Sequence, residues 1–335
     1  MQGKITKKRK YIPQDRSYKT ASDDSFAVSL CSLTPDEIAP GKEGQDSPTA
    51  GRLRPARIIP LIVFALIFVF SASMLIYTAY DHAKAQDIYN NLDEFMFEEE
   101  NLTVPHGLAE ASSSPLPNLD SLRSFRGNQN LVSSSENAAL SQYIAVMRAK
   151  ISSLKASNPD VVGYITIKNT KISYPIMHTT NNDFYLNHDY LGSHRLSGSI
   201  FLDYRNYADI PINENSCIYG HNLTNGNMMN NITYFLDEDF FNENKYIEII
   251  TEKGLYTYEV FAVYKTDMYS DYITTYFKTT EDVIEFAKLQ ESRSLYKREG
   301  IEFKSGLKLL TLSTCTNVLQ EERYTVQAML VSHDE

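Results

Sequence analysis

The hydrophobic and polar positions divide the chain into regions of three kinds. Residues 58–80 form one apolar run without a charged side chain. Residues 1–57 and 101–135 are polar, rich in Ser and Pro, and show little periodicity. From about residue 137 onward, short apolar runs alternate with turn-forming residues. This pattern predicts a membrane segment followed, after a polar stretch, by a folded domain.

The apolar run at residues 58–80 is long enough to cross a bilayer, which takes about 20 residues in a helix. Because 57 residues precede it, we expect an uncleaved anchor rather than a signal peptide. Arg52, Arg54 and Arg57 lie directly before the run. The positive-inside rule therefore predicts a single-pass cell-membrane protein with a cytoplasmic N-terminus and its remainder outside the cell.

The polar regions are expected to have different roles on the two sides of the membrane. Residues 1–57 have the composition of a disordered cytoplasmic tail. Residues 81–136 are predicted to form an extracellular stalk, which begins as a helix and continues as a Ser/Pro-rich linker. Such a stalk would lift the folded domain, residues 137–335, away from the membrane surface.

The folded domain is predicted to begin with an amphipathic helix over residues 137–156, where apolar residues recur at helical spacing. Eight short β-like runs follow, at residues 161–167, 172–177, 198–203, 216–219, 246–251, 255–266, 307–314 and 324–332. These runs predict a mostly β fold, either a barrel or a sandwich, with helical insertions at residues 228–242 and 280–297.

Charge narrows the classes of partner. The whole chain has a net charge of −10, while residues 1–57 carry +4, so the part beyond residue 57 carries −14. Nucleic-acid binding draws on clustered Lys and Arg, so we expect no nucleic-acid partner. The sequence also lacks the ligand spacings typical of zinc or calcium sites, and no metal or other cofactor is expected.

Three cysteines are too few for a disulfide scaffold. Cys217 and Cys315 both lie beyond the membrane segment, so a bond between them is one alternative. The other alternative, which we favour, is that Cys315 is a free thiol. A bond would block the group that the surrounding residues are suited to activate.

Cys315 follows an apolar, strand-like run that starts at Lys308. A cysteine in this setting is by itself more typical of a buried, inert thiol. Two other residues change that interpretation, because thiolates need a cation or a hydrogen-bond donor nearby. His221 follows another strand after a glycine, and Arg323 begins the strand next to that of Cys315. His188, in contrast, is expected to be structural.

The residues around these three resemble the sortases, membrane-anchored transpeptidases of Gram-positive bacteria. Their signature, Thr-Leu-x-Thr-Cys followed by a strand-borne Arg, matches residues 311–315 and Arg323. The resemblance extends over residues 138–332 and is closest in pattern to class B. It rests there on the strings Asn-Pro-Asp-Val-Val-Gly-Tyr-Ile from Asn158, Tyr-Leu-Asn-His-Asp from Tyr185, Gly-Ser-Ile-Phe-Leu-Asp-Tyr-Arg from Gly198 and Ile-Tyr-Gly-His-Asn from Ile218.

This resemblance implies an eight-stranded sortase β-barrel in which Cys315 attacks the carbonyl after the Thr of a sorting signal, forming a thioester. His221 would exchange protons with the departing and incoming amines, and Arg323 would stabilise the oxyanion. By analogy with the family, the peptide groove would be lined by Ser313, Thr314, Asn182, Leu186, Tyr272 and Ile273.

The implied partners are secreted proteins that bear a C-terminal sorting signal and an amine of a peptidoglycan precursor. Two alternatives stay open. One is a pilin polymerase that uses a lysine amine as the acceptor. The other is a membrane-tethered β-domain that binds surface ligands without catalysis.

Overall fold

The computed structural model describes residues 55–97, 134–319 and 321–334. Helix α1 (Pro55–Phe97) and helix α2 (Ser134–Ser157) precede eight strands. The strands are β1 (Val161–Ile167), β2 (Ser173–Met177), β3 (Ile200–Leu202), β4 (Asn215–Tyr219), β5 (Tyr246–Ile250), β6 (Leu255–Asp267), β7 (Leu309–Cys315) and β8 (Glu322–Asp334). Helix α3 (Glu238–Glu243) lies between β4 and β5, and helix α4 (Thr280–Arg293) lies between β6 and β7. All eight predicted strands are present, with bounds that differ by at most two residues.

The strands form a closed barrel in the order β1-β2-β3-β4-β7-β8-β6-β5, which confirms a barrel rather than a sandwich. Two neighbouring pairs, β2 with β3 and β4 with β7, are parallel. The other pairs are antiparallel. Because β4 and β7 are parallel and in contact, the segments that follow their C-terminal ends meet at one end of the barrel.

Burial of the strand residues in the barrel explains why the strand sequences are largely apolar. Six of the seven residues of β7 are buried, as expected for a central strand packed on both faces. The main core is built from large side chains contributed by many elements, including Tyr164, Ile165, Ile176, Phe235, Tyr258 and Leu310. A smaller cluster lies under α4, whose first turn is fixed by reciprocal hydrogen bonds between Thr279 and Asp282.

Helix α1 has two different halves. Residues 59–80 are almost wholly exposed, and among the described residues α1 is the helix long and apolar enough to cross a membrane. From Asp81 onward, one stripe is buried against the barrel at helical spacing, comprising Asp81, Ala85, Tyr89, Leu92 and Met96. The hydroxyl of Tyr89 donates to the carbonyl of Gly198 at 3.1 Å, and Lys150 Nζ donates to the carbonyl of Met96 at 2.8 Å.

This packing differs from the expected stalk. Residues 81–97 are not a spacer, because their buried stripe contributes to the main core. Both α1 and α2 pack on the barrel, so the chain reaches the folded domain before the Ser/Pro-rich linker begins. Most of the predicted tail and the linker itself lie outside the described residues. The rest of the domain division stays a prediction.

Candidate active site

Cys315 and Arg323 lie directly opposite each other on the antiparallel pair β7 and β8. Side chains at such positions have Cβ atoms about 4.5–5.5 Å apart. Cys315 is a free, partly exposed cysteine at the last position of its strand. The guanidinium of Arg323 donates from Nη1 to the carbonyl of Glu322 at 3.0 Å, and its Nη2 contacts Met268 Sδ at 3.6 Å. The prediction that adjacent strands bring this cation beside the thiol agrees with the register.

His221 reaches the same end of the barrel from β4. Tyr219 is paired with Ser313, so a position two residues beyond Tyr219 is level with Cys315. Gly220 makes this turn possible, since a Cβ there would lie 2.4 Å from a methyl carbon of Ile200. His221 Nε2 is 2.6 Å from the carbonyl oxygen of Leu186. A carbonyl only accepts hydrogen bonds, so Nε2 is the donor in this contact.

One groove of about 450 Å³ brings the predicted site residues together. All nine of them line it, namely Cys315, His221, Arg323, Ser313, Thr314, Asn182, Leu186, Tyr272 and Ile273. The groove also includes residues to which the sequence assigned no role, among them Asp203, Arg205, Tyr219 and Met268.

Asp203 is the centre of a hydrogen-bond network in the groove. Its buried carboxylate accepts two bonds from Arg205, at 2.8 and 2.7 Å, and one from the hydroxyl of Tyr219 at 2.7 Å. Asn182 Nδ2 adds a bond at 3.3 Å. Burial would raise the pKa of the Asp203 carboxyl, but the bonds from Arg205 and Tyr219 hold that pKa below its usual value. The group is therefore a fixed negative charge paired with a cation.

Sequence reasoning assigned no role to Asp203 and Arg205, although both lie in a string used for the family resemblance. The available signal was an acidic residue at a strand end with an arginine two positions later. Arg205 also donates from Nη2 to the carbonyl of Ile273 at 3.1 Å, which fixes the short helix Asp271–Ile273 as a groove wall. On the same wall, burial raises the pKa of Tyr272, whose hydroxyl lies 3.1 Å from Ser313 Oγ.

Asn222 is another residue that the sequence did not single out. Its Nδ2 donates to the carbonyl of Cys315 at 2.7 Å, and its Oδ1 accepts from Asn230 at 2.6 Å. Asn317 Nδ2 donates in turn to the carbonyl of Asn222 at 2.6 Å. These bonds tie the segment after β4 to the segment after β7, and so hold the chain around His221 and Cys315.

The second cysteine of the barrel does not line the groove, although its carbonyl accepts a bond from the backbone N–H of the groove residue Asp203 at 2.8 Å. Cys217 is free, fully buried and paired in register with Thr311, four residues before Cys315. At about 3.3 Å per strand residue, this separation exceeds the span of a disulfide. Burial raises the pKa of the Cys217 thiol.

His188 is held by its own local structure. Its ring stacks on Phe184 with centroids 4.0 Å apart, and its Nδ1 is 2.7 Å from the carbonyl of Phe184. It is not among the residues that line the groove. The expected structural role of His188 agrees with this placement.

Comparison with known proteins gives a family. Residues 165–331 match the Sortase domain family. Sortase B of Listeria monocytogenes is 35% identical over 201 residues, which cover 59% of this chain and 80% of that protein. Sortase B of Staphylococcus aureus is 30% identical over 209 residues, which cover 62% and 84%.

Solved structures agree with these sequence matches. Clostridium perfringens sortase B has a TM-score of 0.52 and 37% identity, covering 54% of this chain and 99% of that one. A Staphylococcus aureus sortase B–substrate complex has a TM-score of 0.52 and 28% identity, covering 64% and 92%. The class B resemblance is thus confirmed. The chain belongs to the sortase family, with class B sortases as its relatives, and is a cysteine transpeptidase.

Proposed function

We propose that Cys315, His221 and Arg323 are the catalytic residues of this transpeptidase, and that it cleaves a C-terminal sorting signal after Thr. The observation that carries the proposal is their convergence in one groove from three strand ends. Cys315 faces Arg323 across a strand pair, and His221 follows the parallel neighbour of the Cys315 strand. A nucleophile, a proton carrier and a fixed cation are the groups that acyl transfer needs.

In the first half of the reaction, His221 takes the proton of the Cys315 thiol, and the thiolate sulfur attacks the carbonyl carbon of the substrate Thr. The guanidinium of Arg323 donates hydrogen bonds to the oxyanion that forms. His221 gives a proton to the departing amine as the C–N bond breaks, which leaves a thioester on Cys315. In the second half, His221 takes a proton from the incoming amine as the new C–N bond forms, and the thiolate departs.

The groove suits an extended peptide because it combines apolar and polar walls. Leu186 and Ile273 offer apolar contact, while Asn182, Ser313 and Thr314 carry hydrogen-bonding groups. The Staphylococcus aureus relative has been solved as a substrate complex, which supports the binding of a substrate by this chain. The substrates we propose are secreted proteins that bear a C-terminal sorting signal, and the proposed acceptor is an amine of peptidoglycan precursors.

The proposed cellular arrangement places residues 58–80 in the cell membrane, the N-terminus in the cytoplasm and the barrel outside. The apolar helix supports the anchor, and the three arginines before it support the orientation. An enzyme so placed would meet its substrates as they leave the cell.

The test uses the full chain in detergent micelles with a library of sorting-signal peptides. Intact-protein mass spectrometry should detect an acyl-enzyme that hydroxylamine removes. Cys315→Ala should form none and lose all turnover, because it lacks the attacking atom. Cys217→Ala is the matched control and should keep the acyl-enzyme, since that thiol is fully buried and does not line the groove. Turnover by Cys315→Ala at the parent rate would refute the mechanism.

The same assay separates the acceptors. A peptidoglycan-derived amine and a pilin-type lysine peptide are offered in parallel, and product masses show which one resolves the thioester. Preference for the lysine peptide would replace the wall-anchoring proposal with pilin polymerisation.

A further inference from the structure

Helix α1 is a continuous helix from the proposed membrane span into the barrel core. The apolar run ends at Tyr80, and the next residue, Asp81, is only 2% exposed. Asp81 is buried because its carboxylate accepts a bond from the backbone N–H of Leu196 at 2.9 Å. Arg195 Nη1 lies 3.6 Å from the same carboxylate. The loop of residues 189–196 is therefore attached to the helix at the membrane boundary.

Helix geometry fixes how near this attachment is to lipid. A helix rises about 1.5 Å per residue, so Asp81 lies within about 2 Å of the end of the apolar run. The headgroup layer on each side of the hydrocarbon core is about 5–7 Å thick. Because Asp81 lies within that layer, the backbone N–H of Leu196 that bonds to its carboxylate lies within or beside the same layer.

The loop has side chains suited to such a layer. Leu191 is 51% exposed and Leu196 is 38% exposed. His194 of the loop and Lys84 of α1 are also exposed, and Lys84 is a cation that can meet lipid phosphates. Apolar side chains beside basic ones are typical of surfaces that rest at a membrane interface.

The loop is also held in one conformation. The buried carboxylate of Asp189 accepts bonds from the backbone N–H groups of Leu191 and Ser193, at 3.0 and 2.9 Å. Arg195 Nε lies 3.5 Å from the same carboxylate. A preformed loop loses little conformational freedom on contact with lipid, which favours docking.

We propose that the loop of residues 189–196 docks into the headgroup layer of the membrane that α1 crosses, with Leu191 and Leu196 in contact with lipid. The barrel then rests directly on the bilayer. The proposal depends on the membrane anchor of the proposed function.

This docking places the groove close to the membrane surface. Directly after the loop, the N–H of Ser199 donates to the carbonyl of Tyr185 at 2.9 Å. The neighbouring carbonyl, that of Leu186, contacts His221. Two hydrogen bonds therefore connect the segment after the loop, through Tyr185 and Leu186, to His221 in the groove. The partner that the loop recognises is a phospholipid surface.

The absence of tryptophan from the chain allows a direct test. Single tryptophans are introduced into the full chain, which is reconstituted in phosphatidylglycerol–phosphatidylcholine vesicles with bromine on the upper acyl-chain carbons. Leu191→Trp and Leu196→Trp report on the loop. Leu295→Trp is the matched control, because Leu295 is 57% exposed and its backbone N–H is bonded to Val263 of β6 rather than to α1 or the loop. Leu66→Trp, in the exposed half of α1, reports on the anchor.

Bromine should quench Leu191→Trp and Leu196→Trp several-fold more than Leu295→Trp. Quenching of Leu66→Trp with no excess at either loop position would overturn the docking and leave the anchor intact. Failure to quench Leu66→Trp would overturn the anchor itself. A blue-shifted but unquenched Leu191→Trp would mean that protein rather than lipid covers the loop, which also overturns the proposal.

Discussion

The two cysteines of the barrel lie on neighbouring parallel strands but in opposite surroundings. Cys217 is in the middle of β4, where it is fully buried and its pKa is raised. Cys315 is at the end of β7, where it opens into the groove beside Arg323. The same side chain in the same sheet is therefore inert at one position and available at the other. Position along the strand, and not residue type, decides the chemistry.

The polar groups near the two cysteines also differ with their position along the strand. In the middle of the strands, Thr311 Oγ1 lies 2.9 Å from Asn215 Oδ1 and 2.8 Å from Gln327 Oε1, so its single O–H is shared between two buried acceptors. At the end, polar groups line an open groove where a substrate can reach them. We therefore expect substitutions in the middle of β4 and β7 to lower stability, and substitutions at the ends of these strands to lower activity.

The largest expected difference is in thiol reactivity. Iodoacetamide should alkylate Cys315 in the native protein at least about 10³-fold faster than Cys217, because Cys217 reacts only when the barrel unfolds. Peptide mass mapping after timed exposure separates both sites from Cys31. Denaturant should make the two rates similar. Comparable rates in the native protein would show that the middle of the strand pair is open to solvent, and the comparison would fail.

Next in size is the effect of removing the groove cation. Arg323→Ala should lower kcat/KM by about 10²–10³, the usual loss for one oxyanion donor. Arg323→Lys keeps the positive charge but loses the planar, forked guanidinium group, so its kcat/KM should lie between those of Arg323→Ala and the parent protein. Peptide-cleavage kinetics and the thermal midpoint are measured together. A large fall in Tm with unchanged kinetics would assign Arg323 to stability instead.

The smallest expected effect concerns the buried middle. Thr311→Val keeps the shape of the side chain but removes the hydroxyl that lies between Asn215 and Gln327. It should lower the free energy of unfolding by about 1–3 kcal/mol, the cost of leaving buried polar atoms unpaired. Urea unfolding measures this loss, and kcat per folded molecule should stay near the parent value. A loss of kcat without a loss of stability would contradict the assignment of Thr311 to stability alone.

Much of the barrel was predictable because each strand is a short apolar run bounded by turn residues. The strand that carries Cys315 is buried along nearly its whole length, and its sequence contains no charged residue. The placement of Cys315 and Arg323 followed from one short connection between two strands. His221 was harder to place, since its nearness to Cys315 depends on the parallel pairing of β4 and β7 across about 90 residues.

The features that the sequence did not reveal depend on distant contacts. The stripe of α1 that packs on the barrel contains only a few apolar residues in a charged segment, and it resembled a solvated helix. The pairing of Asp203 with Tyr219 and Asn182 joins three separate segments. Local patterns report periodicity and turns, but they do not report which buried polar groups meet.

The strand order has a consequence for how the protein comes into being. When the chain is made from its N-terminus, β1 to β6 can pair as an open sheet with β4 and β6 as unprotected edges. The hairpin of β7 and β8 fills that gap last, and it carries both Cys315 and Arg323. The step that closes the barrel therefore also brings Cys315 into the site. A nascent chain would have no transpeptidase activity until the barrel had closed.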